Sequence, residues 1–296
     1  MVEAVPNVSE GRRPDVIEAL ADVIRATPGV HLLDTHSDPA HHRSVFTCAG
    51  EPAPLRRAML ALVEAALARI DLRQHSGEHP RIGALDVLPF VPLDGATMAD
   101  CVALAQDVAA EVAARFQIPV FLYEEAARQG FRRRLEDVRR GQFEGLATKM
   151  SQPEWQPDFG PARPHPTFGA LAVGARMPLI AFNVNLASDR LDIARRIART
   201  IRESGGGLPA VKALGVMLGN RGIAQVTMNL TDYRVTSVRA AFDAVKREAA
   251  GHGIDILESE LVGLVPAAAL SEADANHVRL RGFSPAQVLE ERLRLR

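Results

Sequence analysis

Cysteine is nearly missing from this chain: Cys48 and Cys101 are the only two among 296 residues, and both sit in apolar surroundings. That excludes a disulfide framework and a thiolate metal centre, and it predicts two buried structural thiols without chemistry. Neither sign of charge is in excess, with 35 Lys and Arg against 36 Asp and Glu and a formal net charge of -1. A global basic field for DNA or RNA is ruled out, although a local cationic patch can still hold an anionic ligand. Long apolar runs are also lacking: the longer stretches are interrupted by charges or too short for a bilayer, and Met1 to Ser9 carries no basic region leading into one. The expectation is a cytoplasmic protein with neither a nucleic-acid nor a membrane partner. What is present, 47% hydrophobic and 24% charged residues, suits a globular chain with one large core or two small ones.

Periodicity predicts a strand at Val2 to Val5, a helix opening at Pro14, strands at Val30 to Thr35 and Arg43 to Ala49, and an alanine-rich helix over Leu55 to Ile70. A polar loop from Asp71 to Ile82 leads into a strand at Leu85 to Val91, a helix over Met98 to Phe116 and a strand at Pro119 to Tyr123. The basic stretch Glu124 to Arg140 reads as helical, and Ser151 to Phe168, with five prolines, as an ordered loop or linker. Beyond it come a strand at Leu179 to Asn185, a helix capped by Ser188 and running to Arg202, strands at Val211 to Leu218 and Ile223 to Leu230, a helix over Val235 to Ala250 and a strand at Ile254 to Glu258. That β-α-β-β-α-β order is the ferredoxin-like split βαβ, and the first half looks like a longer variant of it. The fold expected is α/β (α+β), two related subdomains at 1-176 and 177-296, with mainly antiparallel sheets and helices packed on them.

The most informative run is Glu78-His79-Pro80-Arg81-Ile82-Gly83-Ala84-Leu85-Asp86-Val87. It places a histidine between a carboxylate and a rigid proline just before an apolar strand. Histidine can both take and give a proton near neutrality, and proline restricts the backbone that aims it. His79 is the catalytic candidate; the plainer alternative is a loop histidine bonded to backbone. Arg81 can clamp a carboxylate with paired donors, or merely form a solvated ion pair with Glu78. Five histidines lie between His36 and His79, but Gly77 and Pro80 break any regular helix through His75 and His79, and no third ligand set is visible, so no metal is expected. Ser204-Gly205-Gly206-Gly207 follows a helix and precedes a strand, which marks a helix stop rather than a phosphate cradle. Gly174-Ala175-Arg176 and Asn183-Val184-Asn185 near strand ends can line a cleft or simply punctuate turns.

The run His75 to Val87 resembles the signature of glutamate formimidoyltransferases, which occur alone in bacteria and as the first domain of mammalian formiminotransferase-cyclodeaminase. Collinear matches include Val5-Pro6-Asn7-Val8-Ser9-Glu10-Gly11, Leu32-Leu33-Asp34, Arg43-Ser44-Val45, Glu154 to Pro161, Ala181 to Leu186, Gln225 to Leu230 and Glu260 to Pro266. The resemblance implies two subdomains with a ligand cleft between them, and formimino transfer from N-formimino-L-glutamate to tetrahydrofolate as co-substrate, with no metal and with His79 as general acid and base. It implies substrate binding by Arg43, Glu78, Arg81, Arg176, Asn183 and Asn185. Folate would lie along Gly160, Pro161, Ala162, Arg163, Pro164, His165, Pro166, Thr167, Phe168 and Gly169, with Phe168 offering a ring face. A homodimer is expected. One departure stands out: where the family usually has a second aspartate after Leu32-Leu33-Asp34, this chain has His36, with Asp38 further along. His36 or Asp38 would then tune His79, a His36 cation lowering its pKa. A related folate-dependent transferase or hydrolase with another donor, or a folate-binding paralogue without catalysis, are the alternatives.

Overall fold

A computed structural model describes residues 1–39, 41–77, 79–218 and 221–294. The chain forms two compact units, Met1–Arg176 and Met177–Arg296. In the first, β1 (Val2–Ala4), β2 (Asn7–Val8), α1 (Pro14–Arg25), β3 (Val30–Asp38), β4 (Arg43–Gly50), α2 (Pro52–Arg69) and β5 (Leu85–Pro92) make the split βαβ core. β1 and β2 lie end to end between β4 and β5, and β3 forms the outer edge beside β4. Pro14 opens α1 at a position where its missing N–H costs nothing.

Past β5 the unit is extended by α3 (Met98–Phe116), closed at its start by a Thr97/Asp100 capping box, and by β6 (Val120–Glu124) and β7 (Leu171–Ala175). β7 sits between β5 and β6 and runs parallel to both. The first sheet is therefore mixed, with its antiparallel pairings joined by two parallel ones on the β5-β7-β6 side. β7 escapes sequence detection because Leu171-Ala172-Val173-Gly174-Ala175 is short, small and apolar without alternation, as a strand buried on both faces reads. The helix expected over 124–140 is not continuous: it holds a single 3-10 turn at Gly130–Arg132 and the five-residue α4 (Leu135–Arg139), and a further helix, α5 (Gln142–Met150), follows it. Gly130 and Gly141 interrupt the run, and a string of arginines carries no apolar period to define a helix face.

One face of the first sheet packs Leu32, Phe46, Cys48, Leu85 and Phe90 in the core with the residues of α1 to α3. On the other face Ile82, Val87, Phe121 and Tyr123 pack with Val138, Leu146 and Met150 from α4 and α5. Cys48 and Cys101 are both buried free thiols.

The second unit is β8 (Ile180–Leu186), α6 (Leu191–Ile201), β9 (Val211–Leu218), β10 (Ile223–Leu230), α7 (Val238–Gly251) and β11 (Ile256–Val262), followed by the short α8 (Glu272–His277) and α9 (Leu289–Arg294). Its sheet is antiparallel with order β11-β8-β10-β9, the ferredoxin-like arrangement. Ser188 does not cap α6, whose N-cap is Arg190; the Ser188 hydroxyl instead accepts from the Arg190 N–H at 3.2 Å. Among the described residues no helix is long and apolar enough to cross a membrane.

Candidate active site

The site begins with a β-bulge. Asn7 pairs with Val87 and the next residue, Val8, pairs with Leu85, so Asp86 is the extra residue in β5. A bulge of this kind re-aims a side chain. The Asp86 carboxylate is fully buried and accepts from the Ile82 N–H at 2.8 Å, from Arg43 at 2.9 Å and from Arg139 at 2.6 Å. Arg43 also donates to the Asn7 side-chain carbonyl at 3.0 and 2.7 Å. Burial alone would raise the Asp86 pKa, but the two guanidiniums, with Arg139 the stronger, and the Ile82 hydrogen bond bring it down to about 2. Two cations share one carboxylate, so the cluster is net positive and suited to receive a further anion.

His79 stands beside this cluster. Its Nδ1 lies 2.8 Å from the Pro80 carbonyl, which can only accept, so the neutral ring carries its proton on Nδ1 and its lone pair on Nε2. Burial, then Arg43, then Arg139 push its pKa down to about 3, against the opposing pull of Asp86 and the Pro80 hydrogen bond. The imidazole is therefore neutral at physiological pH. Its ring edge meets His41 at a centroid distance of 6.1 Å, and His41 is held by Asp38 through a 2.6 Å contact. Asp38 thus reaches His79 through His41.

The loop that carries His79 is packed tightly against the β3–β4 turn. A side chain on Gly77 would lie 2.5 Å from the His41 carbonyl and 2.8 Å from the His42 Cβ, so only glycine fits there. The rings of His42 and His75 sit 4.3 Å apart, and His75 Nε2 donates to the His42 carbonyl at 2.9 Å. Buried Glu10 accepts from the backbone N–H groups of Arg12 and Arg13 at the start of α1 and lies 3.7 Å from His42. Arg81 is 5% exposed, and its donors are taken by His75 Nδ1, the His75 carbonyl, Gln142 and both oxygens of Glu144. It ties the loop to α5 rather than presenting an open carboxylate clamp. A neutral proton acceptor beside a net-cationic cluster is what proton transfer on an anionic substrate needs.

Two family models match nearly the whole chain. Residues 1–176 match the N-terminal subdomain of the formiminotransferase domain, and residues 181–294 match the formiminotransferase domain proper. A glutamate formimidoyltransferase from Streptococcus pyogenes serotype M1 is 45% identical over 99% of this chain and 98% of its own. This chain belongs to the formiminotransferase domain family. A glutamate formimidoyltransferase from Thermoplasma acidophilum is 42% identical over 99% of this chain and 97% of its own. The formimidoyltransferase-cyclodeaminase of Sus scrofa is 44% identical over 93% of this chain, which spans 52% of that longer protein.

In this formiminotransferase chain the proline-rich segment lies against the His79 loop. Thr167 accepts from Leu72 N–H, Phe168 from Ala84 N–H at 2.8 Å, and Ala170 N–H donates to the Ile82 carbonyl. Gly169 has φ +82°, and a Cβ there would lie 2.1 Å from the Ile82 carbonyl. Pro161, Arg163, Pro164, His165 and Pro166 line a cavity of about 270 Å³ with Gln117. His165 Nδ1 accepts from the Phe168 N–H at 3.1 Å. Gly160 has φ +89°, and Ala162 lies between Pro161 and Arg163 in the same run. Phe168 corrects an expectation: it is fully buried in the core, so its ring cannot face a pterin.

Arg176 donates its backbone N–H to the Phe90 carbonyl and hydrogen-bonds Tyr123, whose pKa burial nevertheless raises to about 12. In the second unit Asn185 is fully buried and bonded to Glu258 and Gln225, while Asn183 contacts Glu260 at 3.4 Å. Both are engaged within their own sheet. Glu78 lies outside the described residues. His36 is exposed on edge strand β3 opposite Val45, and the strongest charges on His79 come from Arg43, Arg139 and Asp86 instead. His36→Asp is therefore expected to move the acid limb of a pH-rate profile by well under one unit; a shift of about one unit or more would reinstate position 36 as the tuning residue.

Sequence reasoning passed over Asp86, Arg139, Asn7 and Glu144 as site residues. Asp86 did carry a signal, a lone carboxylate inside Leu85-Asp86-Val87-Leu88, where an ion needs partners to be buried. Arg139 carried none among its neighbouring arginines.

Acid should weaken the first unit. His42, His75, His79 and His165 are all held below 6.5, in each case by burial first. Below 6.5 the unfolded chain binds more protons than the native one, so stability falls as pH drops toward the native His79 value of about 3. Asp86, lowered from 3.8 to about 2, adds a loss of the same sign at the acid end of that window. Urea titrations should give an unfolding free energy that declines from pH 7 to pH 4; a flat profile would contradict the buried-neutral state of these histidines.

Proposed function

We propose that this chain is a glutamate formimidoyltransferase, moving the formimino group from N-formimino-L-glutamate to tetrahydrofolate to give 5-formimidoyltetrahydrofolate and L-glutamate. The observation that carries the proposal is the 45% identity to a glutamate formimidoyltransferase along 99% of the chain. The donor amidine is protonated at neutral pH, so its carbon is already electrophilic. What the protein must supply is orientation and proton movement. The pterin amine attacks the amidinium carbon, His79 Nε2 takes the proton that the nitrogen sheds, and the same ring returns it to the departing glutamate nitrogen as the C–N bond breaks. Transfer is direct, without a covalent enzyme intermediate.

The net-cationic pair Arg43 and Arg139 receives a carboxylate of the donor, and its negative charge offsets the field that depresses His79, raising the basicity of the ring only when substrate is in place. Folate lies along Gly160 to Gly169, with contact through the exposed polar and proline residues rather than Phe168. The reaction requires no metal, and activity is expected to survive exhaustive chelation. The working protein is a cytoplasmic homodimer, so light scattering should give twice the 32.0 kDa of one chain. The deciding assay follows formiminoglutamate with the purified protein. Loss that depends on tetrahydrofolate is the expected result; folate binding without loss of formiminoglutamate would favour another donor or a paralogue without catalysis.

A further inference from the structure

Lysine is rare here: it occurs only at positions 149, 212 and 246, and the other basic residues are arginines. Lys149, in the last turn of α5, is 9% exposed. Its ammonium donates to the carbonyls of Asp137 at 2.5 Å, Val138 at 2.7 Å and Arg140 at 3.3 Å, and lies 3.7 Å from the centre of a Trp155 ring. These carbonyls belong to the end of α4, a helix of five residues too short to satisfy its own last turn. A compact ammonium with three hydrogens suits three converging acceptors, whereas a planar guanidinium fork does not. The carbonyls flank Arg139, the residue that reaches Asp86.

We propose that Lys149 is a positioning residue of the active site: by closing the C-terminal turn of α4 it aims Arg139 at Asp86 and maintains the cationic face beside His79. Among the described residues Arg139 Nε is buried without a hydrogen-bond partner, so the Nη2 contact with Asp86 and the backbone of α4 set where its guanidinium points. After Arg140 the chain reverses through Gly141 (φ +88°) and Gln142 (φ +54°) into α5. The N-terminus of α5 is in turn docked on the catalytic loop, with the Phe143 N–H on the Arg81 carbonyl and Glu144 on the Arg81 side chain. Lys149 thus joins both ends of a bracket, α4 reaching Asp86 and α5 reaching Arg81. Burial also lowers the Lys149 pKa to about 8, so the clamp should loosen in alkali.

Among the described residues, the charged and titratable groups beside His79 are Arg43 from β4, Asp86 from β5, Arg139 from α4 and His41 from the β3–β4 turn. Removing Arg139 from its place takes away one depressing charge. The test reads His79 itself, by NMR titration of its Cε1 proton, assigned by comparison with His79→Gln, over the pH range in which the fold persists. Its outcome is separable from the substrate assignment, although the importance of His79 rests on that assignment. Lys149→Met and Arg139→Gln should each move the His79 midpoint upward by on the order of one unit, and the double variant no further than either alone. The acid limb of kcat/KM should move in the same direction. If Lys149→Met does not fold, Lys149→Arg decides, since it keeps the stem and the charge but not the three-carbonyl geometry, and an upward shift is again expected. A midpoint unchanged in the soluble Lys149 variants, or additive shifts in the double variant, would overturn the proposal.

Discussion

His79→Ala is expected to lower the turnover of formimidoyl transfer by roughly a hundredfold or more, the usual contribution of a positioned general acid and base. The loss should fall on kcat, because in the proposed mechanism the ring handles protons that move only during reaction, while Arg43 and Arg139 receive the donor carboxylate. Folding should be preserved, since the His79 side chain hydrogen-bonds its neighbour Pro80 from a half-buried position on a loop rather than in the core. The variant should also lose the acid limb of its pH profile, leaving only slow, pH-insensitive transfer. Steady-state kinetics on protein with a native circular dichroism spectrum give the answer. Near-parental kcat would remove His79 from the mechanism and leave the Arg43, Asp86 and Arg139 cluster as a binding site alone.

Asp86→Ala should cost the most stability of any substitution at the site. It leaves Arg43 and Arg139, with side chains only 11% and 13% exposed, without the carboxylate they share. Breaking a buried ion pair by deleting one partner typically costs about 3–5 kcal/mol, because the remaining charge stays desolvated. The Ile82 N–H loses its acceptor as well, which frees the strand entry that follows the His79 loop. Urea denaturation measures the difference. A cost under about 1 kcal/mol would mean that the arginines reach water or another anion and that the cluster is far more open than its burial indicates. Activity should fall with stability, since nothing then restrains the two cations that depress His79.

The element boundaries show where local information suffices. The helix over Met98–Phe116 is read correctly to the residue because Thr97 and Asp100 form a capping box and an apolar stripe fills one face. The same holds for Pro14 at the start of α1 and for the strands Val211–Leu218 and Ile223–Leu230, while the other two strands of the second unit lie at Ile180–Leu186 and Ile256–Val262, one to four residues from their expected bounds. Reading fails over 124–150, where arginines, glycines and few apolar residues give no period, and at β7, where burial on both faces erases alternation.

Residue type and short-range spacing suffice to read the family resemblance, the βαββαβ order and His79 as a proton-carrier candidate beside Pro80. What surrounds that histidine is set by the tertiary structure. Arg43, Asp86 and Arg139 are separated by 43 and 53 positions in the chain, and a bulge in β5 with the turn of α4 brings them onto one carboxylate. It also turned Phe168 into the core, gave Arg81 to Glu144, and placed Arg43 and Arg139, rather than His36, as the main charges acting on His79. Electrostatics between such distant positions act through space at a few ångströms, and no local pattern of residues encodes which ones will meet.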